Sequence, residues 1–269
     1  MKQCSTLGDR MKRYENDTNN MVQVNECMVV RLDGHKFSTF TKGFDKPFDT
    51  RLSHAMIETT KDLVKKFSAC TGYTQSDEIT LVFPVLTEKC TEFIHKGRTQ
   101  KIASSCAAYC SVRFAHHLSK CNFNENKDLQ KKVMRFETYF DGRVIALPNK
   151  TEVVNNLIWR SKYDCVRNSI SSLGKFHFGT NKCTNKNGTE LKEMLISLSK
   201  ETDKKDCSWE SQPDYFKYGI FVKKQLYEVD ATNPKTGKKL TTTRSRLVTV
   251  SIPDLCCEPT KFIFSKYHV

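Results

Sequence analysis

The sequence predicts an α+β fold: a βαββαβ unit in the first half, then a helical and β-hairpin second half. Three observations carry this. Residues 27–33 form an apolar run that breaks at Asp33-Gly34, as a buried strand ending at a carboxylate does. Residues 49–147 then supply helix, two strands, helix and strand in that order. Residues 218–252 hold two long strand-like segments around an Asn-Pro-Lys-Thr-Gly-Lys turn. With 269 residues, 38% hydrophobic and 28% charged, the chain is long enough to bury a substantial core.

Residues 5–20 have Leu7, Met11 and Tyr14 at helical spacing, which predicts a short helix, either exposed or, the reading the sequence favours, an ordinary packing helix. After the first strand, residues 34–48 form a loop holding His35, Lys36, Lys42 and Phe44-Asp45-Lys46-Pro47-Phe48. Asp49 is placed to cap a helix whose inner face carries Leu52, Met56, Leu63, Val64 and Phe67, with Gly72 as its terminator. Tyr73–Ser76 and Ile79–Phe83 read as two strands joined tightly at Asp77-Glu78. A second long helix fits residues 97–118, with Ile102, Cys106, Tyr109, Cys110 and Phe114 inward. Lys96, Arg98 and Lys101 cluster at its first turn, where the helix dipole also favours a phosphate.

Residues 121–132 are polar and read as a loop, Met134–Phe140 alternates as a half-exposed strand, and Asp141-Gly142 reads as a turn or bulge before Val144–Leu147. Asn155–Ser172 reads as a helix, 175–190 as a loop, Leu191–Leu198 as a short helix and Lys200–Asp206 as a charged linker. The final hairpin region, 217–247, sets eight lysines and arginines, Lys217, Lys223 and Lys224 among them, against Glu228 and Asp230 only. Such a ribbon suits a phosphate-tracking surface. The organisation predicted is residues 1–150 as a catalytic domain with its N-terminal helix, and 151–269 as a basic, RNA- or triphosphate-contacting region.

The formal charge of +14 points to a polyanionic partner, although phosphate contacts carry little sequence information. The twelve cysteines include no Cys-x-x-Cys pair and sit mostly in apolar patterns, which predicts reduced core thiols over disulfides or zinc. No apolar run reaches the roughly 18 residues of a membrane span. Met1-Lys2-Gln3-Cys4-Ser5 lacks the apolar core of a secretory signal, so a cytoplasmic protein is expected.

The βαββαβ order is ferredoxin-like, and also that of the palm of polymerases and nucleotide cyclases. Asp33 at the end of the first strand and Asp77 in the hairpin of the next two stand where a palm keeps its metal-binding acids. Two carboxylates on adjacent strand ends can hold Mg²⁺ against a triphosphate. Asp77-Glu78 also suits a plain solvated turn, since turns favour Asp for backbone reasons. The superfold hosts many functions, so order alone does not fix one.

The motifs in register resemble the tRNA(His) guanylyltransferase family, most closely its guanylyltransferase-like branch of 3′–5′ RNA polymerases. They are Leu7-Gly8-Asp9-Arg10-Met11-Lys12, Arg31-Leu32-Asp33-Gly34-His35-Lys36-Phe37, Phe44-Asp45-Lys46-Pro47-Phe48-Asp49 and Gln75-Ser76-Asp77-Glu78. Phe140-Asp141 with Arg143, Asn155, Trp159-Arg160, Arg167-Asn168-Ser169-Ile170 and Tyr215-Phe216-Lys217-Tyr218-Gly219 continue the match across nearly the whole chain. The resemblance implies a palm, often in a tetramer, that activates a tRNA 5′-monophosphate with ATP or GTP and adds a nucleotide there, with two Mg²⁺ ions. It makes Asp33 and Asp77 the metal-bridging carboxylates, Gly34 a carbonyl ligand and Glu78 their support. His35, Lys36, Phe37 and Ser38 become a triphosphate floor near Ser76, and Lys46 a neutraliser of phosphate charge.

Asp164–Ser171 carries the like-branch pattern in place of a His-Ile-Asn-Asn-Leu-Tyr-Asn type of motif. That favours template-dependent repair of truncated 5′ ends over guanylate addition to tRNA(His). Trp159-Arg160-Ser161-Lys162 departs from the family's Trp-Arg-Gln at a position with no assigned role. Two other classes remain open: a nucleotide cyclase, which would leave the basic hairpin unexplained, and a catalytically silent RNA-binding protein.

Overall fold

The central sheet follows from the register of β1 (Cys27–Gly34), β2 (Thr71–Gln75), β3 (Glu78–Val82) and β4 (Phe140–Leu147). All pairs are antiparallel and the order is β4-β1-β3-β2, the split βαβ arrangement. It continues with β5 (Ile220–Thr232) against β2 and β6 (Lys239–Val250) at the edge. The computed structural model describes residues 6–88, 90–123, 126–202, 207–232, 237–251 and 258–266. The turn expected at 233–236, linker residues 203–206 and the pair Cys256-Cys257 lie outside the described residues.

Alternation along β1 sends Met28, Val30 and Leu32 to one face of the sheet and Cys27 and Val29 to the other. The first face packs on α3 (Thr50–Lys66) and α4 (Thr99–Ser119), which contribute Met56, Leu63, Val64, Ile102, Cys106, Cys110 and Phe114. Asp49 caps α3 as expected, accepting from the Arg51 N–H at 2.8 Å. Gly72 does not terminate it: α3 ends at Lys66, and Gly72 lies within β2. A Cβ there would meet Thr60 Cγ2 at 2.5 Å and Val64 Cγ2 at 2.8 Å, so the glycine lets α3 press onto the sheet.

The second face is covered by α6 (Lys150–Ile158), through Val153, Val154 and Leu157, and by α10 (Pro259–Phe264), through Ile263. Arg31, Asp33 and Glu78 belong to this face by the same alternation. α6 runs through a π-helical segment, Trp159–Asp164, into α7 (Cys165–Cys183). α8 (Gly188–Thr202) packs on α7 around Leu173, Leu191, Leu195 and Trp209, and α9 (Asp214–Tyr218) leads into β5.

Several elements differ from expectation. α1 (Leu7–Asp17) buries nothing: Leu7, Met11 and Tyr14 are all exposed. Residues 127–133, expected in a loop, form α5 (Lys127–Val133), capped by the Asn126 side chain and anchored by Leu129 and Val133. The strand expected at Met134–Phe140 starts only at Phe140, and Asp141-Gly142 lies inside β4. Gly142 is small there because a Cβ would come 2.9 Å from the Ala103 carbonyl of α4. The loop expected at 175–190 is mostly α7 and α8, with a break at Gly179 (φ 78°), where a left-handed conformation favours glycine. The sheet crosses residue 150, because β5 pairs with β2.

Candidate active site

The carboxylates are positioned by strand ends. β1 delivers Asp33, and β2 and β3 meet at a two-residue turn, Ser76-Asp77, with Ser76 at φ 48°. The Gly34 N–H donates to the Asp77 carbonyl at 3.1 Å, pinning the turn to the end of β1. Glu78 lies directly across from Asp33 on β3, and Asp141 across from it on β4. Asp33 is ion-paired with Arg31, two residues back on the same strand face, at 3.2 Å.

Burial pushes the Asp77 carboxyl up, its own N–H and the Ser76 hydroxyl pull it down, and the Asp33 charge pushes it up again; the net shift is upward. Glu78 is also pushed up by burial, against opposing pulls from Arg160 and Arg31. Behind these acids lies a buried ionic cluster. Arg160 Nη1 sits 2.9 Å from both Glu78 Oε2 and Asp164 Oδ2, Gln75 Nε2 donates to Asp164 at 3.2 Å, and Arg167 reaches Asp164 from solvent at 2.6 Å. The hairpin that carries Asp77 is thereby clamped to the π-helical segment.

Beside the acids opens a cavity of about 290 Å³. Phe37, Ser38, Lys46, Ser76, Asp77 and Asn168 are in its lining, as are Phe48, Tyr215 and Phe216. Phe48 packs on Tyr215 edge-on (5.4 Å between centroids) and on Phe216 (4.8 Å), giving the cavity an aromatic wall. A cavity with an aromatic wall, a lysine, five serines and three aspartates in its lining, Asp77 among them, suits a nucleotide.

The other expected residues fall in three places. Gly34 is required by packing, since a Cβ would overlap the Phe37 ring. His35 is exposed, its ring is stacked on Tyr139 (4.7 Å, 14°), and its N–H is engaged by the Tyr139 carbonyl at 2.9 Å. Lys36 is exposed at the head of α2 (Phe37–Phe40), at φ 49°. Lys96, Arg98 and Lys101 are not brought to the acids: the N–H of Thr99, at the start of α4, bonds the Asn20 carbonyl, on the segment leading into the opposite end of β1.

Lys217 is occupied by the Glu210 carbonyl at 3.0 Å and the Asp214 carboxylate at 3.2 Å. Lys223, expected on a phosphate-binding surface, is fully buried instead. Its ammonium donates to the Cys70 carbonyl (3.3 Å), Thr71 Oγ1 (2.6 Å) and the Ile263 carbonyl (2.9 Å), and burial pulls it down to about 8. Lys224 is half-exposed on β5 and Arg167 is exposed. The nine described cysteines are free thiols.

Sequence reasoning missed Arg31, Gln75, Arg160 and Asp164 as parts of the site. The spacing held a signal for them: Arg31 and Asp33 share a strand face, and Arg160, Asp164 and Arg167 fall at helical i,i+4 and i,i+3 separations. Nothing in the chain order pairs Arg160 with Glu78, 82 residues away.

The 4-1-3-2 sheet with two acids at its central strand ends, beside an aromatic-walled cavity, defines a palm-type nucleotidyltransferase. Residues 8–148 match the family model described as "Thg1: tRNAHis guanylyltransferase", and the chain belongs to that family. An uncharacterised protein of Acanthamoeba polyphaga mimivirus is 37% identical over 97% of this chain and 90% of its own length. The tRNA(His) guanylyltransferase of Saccharomyces cerevisiae is 25% identical over 77% of this chain and 86% of its own. Among solved structures, a bacterial tRNA(His) guanylyltransferase-like protein in complex with ATP superposes with a TM-score of 0.76 at 30% identity, covering 97% of this chain and all of that one. Among the described residues, no helix is long and apolar enough to cross a membrane.

Proposed function

We propose that this chain adds nucleotides to the 5′ end of tRNA in the 3′–5′ direction, after activating the 5′-phosphate with ATP or GTP, and that it repairs truncated 5′ ends. The observation that carries the reading is the meeting of Asp33 and Asp77 at the strand ends beside the aromatic-walled cavity. Bacterial relatives solved with ATP and with GTP support a nucleotide in that cavity.

The donor set fits Mg²⁺. Among the described residues no cluster of three or more His, Cys, Asp or Glu could hold a metal by itself. Mg²⁺ takes one or two carboxylates and completes its shell with water and phosphate oxygens, so Asp33, Asp77 and the Gly34 carbonyl suffice to hold two such ions with a triphosphate. A cation at the acids would also offset both influences that raise Asp77, first its burial and then the Asp33 charge. When bound, Mg²⁺ supplies charge neutralisation at the phosphates.

The chain's own residues position the reactants. Phe48, Tyr215 and Phe216 hold a base, Ser38 and Ser76 offer hydroxyls to phosphate oxygens, and Lys46 neutralises charge. Glu78, held by Arg160, keeps the Asp77 turn in place. Positioning and electrostatics are most of what phosphoryl transfer demands, so no protein nucleophile is needed. The exposed Leu7, Met11 and Tyr14 of α1 support a homo-oligomer, a tetramer by resemblance, in the cytoplasm.

The test supplies 5′-labelled truncated and full-length tRNAs with Mg²⁺ and nucleoside triphosphates. Truncated tRNAs are extended opposite templating bases, and Asp33→Ala or Asp77→Ala abolishes extension while tRNA binding survives. Full activity in either variant, or a cyclic nucleotide formed without RNA, would overturn the reading.

A further inference from the structure

We infer that Trp159 is a stacking platform for a nucleobase of the RNA, placed outside the nucleotide cavity and next to the catalytic acids; this rests on the 5′-addition reading above. The π-helical segment Trp159–Asp164 turns Arg160, Ser161 and Asp164 inward and leaves Trp159 and Tyr163 in solvent, 48% and 66% exposed. Wide helical turns of this kind occur frequently at functional sites. A tryptophan half in water gives up burial that the fold could have used.

Trp159 is held in place without being buried. The Arg160 guanidinium carbon lies 4.5 Å from the centre of its ring. That guanidinium is itself fixed by Glu78 and Asp164 at 2.9 Å each. The ring therefore rests against an immobilised cation and keeps a solvent-exposed surface, as a stacking platform should. Its place is set by the same contacts: Glu78 follows Asp77 in sequence and faces Asp33 in register. The cavity for the nucleotide is lined by Phe48, Tyr215 and Phe216 and not by Trp159, so this ring serves a different base.

The surroundings select the occupant. Arg167, eight residues on along the helix, is 72% exposed, Arg143 is exposed on β4, and the chain carries a formal charge of +14. A half-exposed ring on a surface that also carries exposed arginines suits a strand of stacked bases and phosphates better than an apolar protein face.

Intrinsic fluorescence tests this directly, because the chain has two tryptophans and Trp209 is buried, donating to Ser169 Oγ at 2.9 Å. Adding truncated tRNA, without nucleotide, should quench Trp159 emission in the wild type and shield it from acrylamide. ATP alone should do neither. Trp159→Leu should lose the quenching and weaken tRNA affinity by at least about 5-fold, with Trp159→Phe restoring part of the affinity. Unchanged affinity in Trp159→Leu, or no shielding in the wild type, overturns the inference, and the wild-type measurement decides even if the variant fails to fold. A variant that loses subunit association by light scattering but keeps tRNA affinity overturns it too, by making this face a protein interface. Shielding without any 5′ extension would sink the addition reading alone; extension without shielding would sink this inference alone.

Discussion

Replacing Arg160 with methionine keeps most of the volume and removes the guanidinium that bridges Glu78 and Asp164. All three side chains are largely out of water, at 8%, 18% and 5% exposure. Breaking a buried ion pair by removing one partner costs about 3–5 kcal/mol, because the remaining charge is left uncompensated. Asp164 keeps Arg167 at 2.6 Å and Gln75 at 3.2 Å, so the lower end, about 3 kcal/mol, is expected. In urea this moves the unfolding midpoint down by about 1 M. The sign with pH follows from Glu78. Burial already holds its carboxyl above the usual value of 4.5, and Arg160 is the largest opposing influence. Without that arginine the folded state favours protonated Glu78 more strongly. A raised carboxyl contributes stability that is present below the unfolded pKa and lost as pH rises through the folded one. The deficit against wild type is therefore largest near neutral pH and shrinks toward pH 4.5. Urea melts of both proteins at pH 7.5 and pH 5, with Arg160→Met/Glu78→Gln as the control that recovers stability at neutral pH, measure it. A deficit under about 1 kcal/mol at pH 7.5, or one unchanged at pH 5, would refute the buried-cluster reasoning.

Asp77→Asn should abolish 5′ extension yet unfold no more easily than wild type at pH 7.5 without Mg²⁺. Its carboxyl is raised in the fold, so its stabilisation is lost as pH rises through the raised value; thermal melts with and without millimolar Mg²⁺ should show a metal-dependent rise only in the wild type. Lys223→Met should leave tRNA affinity and its salt dependence unchanged while costing about 1–3 kcal/mol, since the Cys70 and Ile263 carbonyls lose their donor; hydrogen exchange in α10 reads the loss. Lys224→Ala should instead reduce the slope of log affinity against log salt by about 1. Cys106 and Cys165, each pushed by burial to about 12, should resist a thiol reagent at pH 8 until the protein is unfolded.

Residues whose role depends on local periodicity were legible in the sequence. The apolar run before Asp33 and the cap at Asp49 come out as expected, because each is settled within one or two turns of chain. Asp77 could be paired with Asp33 because the order of elements places those strand ends together. Gly72 was misread because glycine serves both to end helices and to admit close packing, and only the position of α3 shows which. Lys223 was misread for a related reason. Basic residues in a strand alternate between faces, and nothing local says that the face of Lys223 is covered by α10, 36 residues on. The run of α7 past Ser172 and the start of α8 before Leu191 were missed because their polar residues face water on most sides and the break at Gly179 interrupts the period, whereas Leu191–Leu198 was legible as a helix.

The antiparallel pairing of β5 with β2 covers only Ile220–Lys223, and β5 then runs on to Thr232 with no strand partner but β6 among the described residues. At about 3.4 Å per residue, those nine further residues extend about 30 Å. β2 carries the acid-bearing turn at its other connection, so the overhanging ribbon and the acids belong to one hydrogen-bonded lattice. A mononucleotide in the cavity cannot span that distance, whereas a folded RNA can touch both ends at once. The sheet thus sets a fixed length between the acid-bearing turn and the far end of the overhanging ribbon.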